Sequence, residues 1–113
     1  MYDHEIRIEQ TQDMQYPALA LSAGIDGAVV LEVLLSDRGT VSDVVPLSGT
    51  SLLIAPAEQN VRTWRFAPNS ARRAVIVFDF ELDKMCSEFP RTWYTRKHAN
   101  LVVVKACVPV LNP

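Results

Sequence analysis

The chain has 113 residues, 12.6 kDa, a formal net charge of −2 and a pI near 5.6, which suits one domain with a single core and disfavours a dedicated nucleic-acid binder with a basic surface. Apolar residues make up 49% and charged residues 21%, the balance of a folded globular chain. No apolar run approaches the roughly 18 residues of a membrane-spanning helix, and the polar, acidic segment Met1 to Gln12 is the opposite of a secretory signal.

In chain order, residues 1–14 lack a useful apolar period and read as an arm. Tyr16 to Gly24 reads as a short helix: Pro17 suits its first turn, and Gly24 suits the left-handed position after its end. From Gly27 the period changes to two, and Ala28 to Leu35 is a strand apolar on nearly both faces, hence central or covered. Ser36-Asp37-Arg38-Gly39 is a turn in which Gly39 can take positive φ. Val41 to Leu47 completes a hairpin, and Pro46, which has no N–H to donate, places this strand at a sheet edge.

After the loop Ser48 to Ser51, the residues Leu53, Ala57, Val61 and Trp64 share one helix face. Pro56 argues for a regular helix starting near Ala55 and running to about Thr63. Ala74 to Asp83 is a third long strand, with Ala74, Ile76, Phe78, Phe80 and Leu82 inward and Val75, Val77, Asp79 and Glu81 on the other face. Asn100 to Val108, rich in valine, is a fourth. Charge divides the chain at the same place: residues 1–83 carry six Lys/Arg against twelve Asp/Glu, whereas residues 84–113 carry five against one. The division is therefore an arm (1–14), a body (15–83) and a basic extension (84–113), the last forming a hairpin or an added strand.

No catalytic set emerges. Asp79, Glu81 and Asp83 line one strand face, but a straight row does not supply the converging oxygens that a hard cation needs. A solvated face, with the basic tail as counter-charge, is the simpler reading. His4 and His98 have neither Cys nor Asp at ligand spacing, so no metal is expected. Cys86 and Cys107 lie in neither a nucleophile elbow nor a glycine-rich phosphate cradle, and no cofactor is expected. Arg91, Arg96, Lys97 and Lys105 with Trp93 and Tyr94 mimic a nucleic-acid patch, but five cations beside an acidic body read better as internal charge matching. Trp64 and Phe66 read as core residues where helix meets sheet.

One ordered set of residues is specific. Tyr16-Pro17, Ala20, Gly24 and Gly27 precede the first long strand; Asp37, Gly39, Val41, Ser42-Asp43-Val44 and Ser48 follow it. Then come Leu53, Ala57, Val61, Trp64-Arg65-Phe66-Ala67-Pro68 and Val75-Ile76-Val77-Phe78-Asp79-Phe80. Over residues 15–82 this resembles the C-terminal domain of the TonB family of energy transducers. The resemblance implies a non-enzymatic α+β domain: a small antiparallel sheet of three core strands plus a C-terminal fourth, with two helices on one face. It also implies a periplasmic setting and an extended peptide of an outer-membrane transporter as partner, added as a strand beside the third strand. The residues it marks are the backbone of Val75, Ile76, Val77, Phe78, Asp79, Phe80, Glu81 and Leu82, with Gln15 and Tyr16 nearby. An inner-membrane motor is a partner only if an anchor precedes this chain, because neither an anchor nor a proline-rich spacer stands in the sequence.

Ile54, Pro56, Glu58 and Asn60 depart from the family pattern in the second helix, and the tail from Lys84 has no counterpart in its core. An oxidising compartment would allow a disulfide between Cys86 and Cys107, opposite each other if Cys86 to Trp93 and Asn100 to Cys107 pair around Tyr94 to Ala99. If the fourth strand folds back beside the third, the peptide-binding edge is filled in cis. The alternative function is then a regulatory or accessory module, with strand-exchanged homodimers through valine-rich edges.

Overall fold

The computed structural model describes residues 7–68, 71–83, 92–98 and 100–107. Among these residues, seven strands and two helices follow in the order β1 (Ile8–Gln10), α1 (Ala18–Ala23), β2 (Gly27–Leu35), β3 (Val41–Ser48), α2 (Ser51–Val61), β4 (Arg65–Phe66), β5 (Arg73–Asp83), β6 (Thr92–His98) and β7 (Leu101–Cys107). Five strands form one sheet in the order β3-β2-β5-β7-β6, while β1 and β4 pair separately. This is the expected α+β class. The sheet is mixed rather than wholly antiparallel, because β7 runs parallel to β5.

That direction follows from the path of the tail. The chain leaves β5, returns as β6 at the outer edge, and turns again so that β7 slots between them. A strand reached through one reversing strand must run parallel to the strand before it. The hairpin register also differs from the expected one. Thr92 faces Ala106, Tyr94 faces Val104 and Arg96 faces Val102, so Tyr94 to His98 are strand residues and not loop. Cys86 itself lies outside the described residues.

Alternation builds the core. Val29, Leu31, Val33 and Leu35 of β2, Ala74, Ile76, Phe78 and Phe80 of β5, and Val102, Val104 and Ala106 of β7 are all buried. Leu53, Ala57 and Val61 of α2 cover them, and Trp64 and Phe66 close the helix-to-sheet corner as expected. β3, carrying Pro46, is the edge beside β2. Gly39 has φ +85°, and a Cβ there would collide with the Phe66 carbonyl. Its own C=O accepts the Phe66 N–H at 2.8 Å, so only glycine lets β4 approach this closely.

Three elements depart from expectation. α1 begins at Ala18, with Pro17 just outside and Gly24 at φ +69° as its C-cap. α2 begins at Ser51 rather than near Ala55 and ends at Val61, leaving Pro56 inside it. The extended Thr50 offers its carbonyl to the N–H groups of Leu53 and Ile54 at 3.0 and 2.9 Å, which fixes the early start. Burial of the Leu53–Ala57–Val61 face then outweighs the bond Pro56 cannot make. The arm is partly ordered: Ile8 pairs with Phe66, and the Ala67 N–H donates to the Arg7 carbonyl at 2.8 Å.

Candidate functional site

Local sequence explains why β5 is the strand around which the molecule is organised. Eleven residues alternate without interruption, and the inward positions carry Ala74, Ile76, Phe78 and Phe80. Phe78 and Phe80 stack at 6.1 Å with planes 14° apart, and Trp64 lies 5.7 Å from Phe78. On the opposite face Val75 is exposed, Val77 and Asp79 are half-buried and Glu81 is exposed. Leu82, half-buried, packs at the border of the core.

The two margins of β5 have different occupants. One pairs antiparallel with β2, from Gly27 opposite Phe80 to Leu34 opposite Arg73. The other pairs parallel with β7, from Leu101 opposite Val77 to Cys107 opposite Asp83. That ladder opens with the Val77 N–H donating to the Asn100 carbonyl at 2.9 Å. Above Val77, Arg73 to Ile76 have no strand on this second margin among the described residues. The backbone marked by the sequence as a partner-binding strand is thus covered in cis over Val77 to Asp83.

Gln15 and Tyr16 separate in role. Gln15 is exposed and Tyr16 is buried. The Tyr16 hydroxyl donates to the Ile25 carbonyl at 2.6 Å, and its ring meets Phe80 edge-on at 5.6 Å. Burial, then the charges of Asp26 and Asp79, push its phenol well above the ordinary tyrosine value. Tyr16 therefore pins the entrance of α1 to the inner face of β5. Sequence reasoning treated Asn60 as a mere departure in α2. It is buried, accepts the Trp64 indole N–H at 2.9 Å and donates its amide to the Gln12 carbonyl at 2.8 Å. A polar residue on an otherwise apolar helix face, four before a tryptophan, was the available signal.

Electrostatics on the open face of β5 are set by Asp79, Glu81 and Asp83. Lys105 of β7 sits opposite Glu81, and its Nζ lies 3.8 Å from Asp83 Oδ2. The tail thus brings a cation to the acidic row. Among the described residues no three His, Cys, Asp or Glu side chains gather as a metal would require, and no helix is long and apolar enough to cross a membrane.

A search of the solved structures matches a solution NMR structure of the Pseudomonas aeruginosa TonB C-terminal domain, with a TM-score of 0.59 and 24% identity over 74% of this chain and 93% of that one. The likeness is one of fold. No curated protein matches the sequence. The family model described as "Gram-negative bacterial TonB protein C-terminal" matches residues 12–82, so β5 is the last strand of the matched segment and β6 and β7 lie beyond it. Domains of that family are non-enzymatic protein-interaction modules of energy transduction, periplasmic in Gram-negative bacteria, that engage outer-membrane transporters. With the match spanning more than half of its residues and its sheet and helices arranged likewise, the chain belongs to the TonB C-terminal family.

Proposed function

We propose that this chain is a periplasmic partner-binding module that takes an extended peptide of an outer-membrane transporter as an added strand beside β5, in energy-dependent transport. Its own C-terminal hairpin holds that margin until the peptide replaces β7. One observation carries this reading: the last strand of the family segment accepts a seven-residue parallel strand that comes from outside that segment. Backbone hydrogen bonds supply the affinity in such strand addition. Val75 to Leu82 provide the ladder, Gln15 is an exposed contact, and Tyr16 holds β5 in place from below. Residues 15–83 act as the TonB-like unit and 84–113 as the occluding extension. An inner-membrane motor works through this unit only where an anchor precedes it.

The same covering favours the second reading, a regulatory module that keeps its edge closed. Affinity for a transporter-derived peptide, measured with and without residues 86–113, tests the covering that both share, and only the first reading predicts measurable binding to the full chain. Transport service with occlusion predicts markedly tighter binding to the shortened chain. Equal affinity would rule out occlusion.

A Cys86–Cys107 disulfide is part of the proposal. Cys107 is buried opposite Asp83 at the end of β7, and no described cysteine is a free thiol. Cys86 follows Asp83 by three positions in the sequence, so the bond would tie the end of β7 to the chain leaving β5. In the loop-entropy model, closing about 22 residues contributes on the order of 3 kcal/mol. Thiol titration of periplasm-matured protein, denatured without reductant, should find no free thiol; two would sink the bond.

A further inference from the structure

We infer that β7 is a built-in stand-in for the partner strand, so that its sequence states the chemistry the β5 margin accepts. This rests on reading β5 as the partner-binding strand and adds what the partner must look like. The stand-in runs parallel to β5, and its side chains alternate between two faces, with Val103 and Cys107 buried on the second. Val102, Val104 and Ala106 stand beside Phe78, Phe80 and Leu82, and all three are buried, completing the core over the stacked phenylalanines. A strand laid on this margin therefore has two branched apolar residues at alternate positions and a small one at the third. Polar groups there would lose water without gaining a partner.

The other face asks for charge. Glu81 is exposed and Asp79 and Asp83 are half-buried along β5, a like-charged row. Lys105 answers it, opposite Glu81 and 3.8 Å from Asp83. The accepted partner is thus an extended segment of another protein, parallel to β5, with the pattern branched–apolar–branched–cation–small. An acidic residue in the cation's place would join three carboxylates on neighbouring strands, which repels.

The full-length chain and its Lys105→Glu variant test this, with three synthetic peptides. One copies residues 100–107 with serine in the last place; one is its scramble; one carries glutamate for the lysine. Binding is read by fluorescence anisotropy, and amide hydrogen exchange reports Val77 to Asp83 and Leu101 to Cys107. Loss of the lysine loosens β7, so the copy should bind the variant about threefold or more tighter than the wild-type chain. It should protect the Val77 to Asp83 amides, while the scramble and the glutamate peptide bind at least about threefold more weakly. Where the charge reversal leaves β7 exchange unchanged, Val104→Thr, nearly equal in volume but polar, loosens the strand instead. Equal binding of all three peptides with protection of β5 would overturn the sequence requirement and leave strand addition standing. If no peptide protects β5 once β7 exchanges freely, both fall.

Discussion

Two side chains show how single residues hold the binding strand in place. Asn60 joins α2, Trp64 and the chain at Gln12 through two hydrogen bonds. Asn60→Ala leaves the buried indole N–H of Trp64 without an acceptor, a loss of about 1–3 kcal/mol. Denaturant unfolding followed by tryptophan fluorescence should show the midpoint fall with an unchanged slope. Asn60→Asp, which keeps an acceptor for the indole but cannot donate to Gln12, should lose less only if it stays able to pay its desolvation. Tyr16 offers the second case, since its hydroxyl bond to Ile25 ties the start of α1 beneath Phe80.

At the scale of elements, α2 carries an internal strain that the sequence displays openly. Pro56 stands inside Ser51–Val61 and cannot donate to the carbonyl four residues earlier. Pro56→Ala restores that donor and improves helix propensity, so thermal unfolding should move upward, corresponding to about 1 kcal/mol or more. A fall would show that the helix is shaped around the ring. The same element shows the reach and the limit of periodicity. The buried face of Leu53, Ala57, Val61 and Trp64 was legible from spacing alone, as were β2, β3 and β5. Its start was not, because proline's local penalty was weighed without the burial that offsets it. β1 and β4 are too short to show a period, and their pairing depends on the close approach at Gly39. The margin of β5 was legible as a backbone ladder. The direction of its occupant was not, because β6, the strand that reverses the tail, was read partly as loop.

For the whole molecule, two phenols, Tyr16 buried and Tyr94 half-buried, link stability to alkaline pH. Burial raises Tyr16, with Asp26 and Asp79 adding to it. Burial also raises Tyr94, with nearby Thr11 and Arg96 pulling back and the charge of Asp13 adding. A phenol held neutral by the fold ionises first in the unfolded chain, near pH 10. Its stabilising share is therefore complete below that pH and is lost as pH climbs toward the raised value. Folding stability should stay level up to about pH 9 and drop above 10, and in Tyr16→Phe the drop should be shallower. An equally steep drop in that variant would show that other groups govern the alkaline limit.

The place of β6 at the rim has a consequence for solubility. β7 holds four apolar residues among its first four positions and six among its seven, a stretch that would recruit like strands if it formed a bare border. Thr92, Thr95 and Arg96 instead face outward on the strand beside it, with β6 as the shield and β7 as the shielded. Any opening of the β5 margin that moved β7 alone would expose this adhesive stretch on both sides. Travelling as a hairpin keeps one side guarded, which makes the pair, rather than the single strand, the unit that can swing away without seeding fibrils.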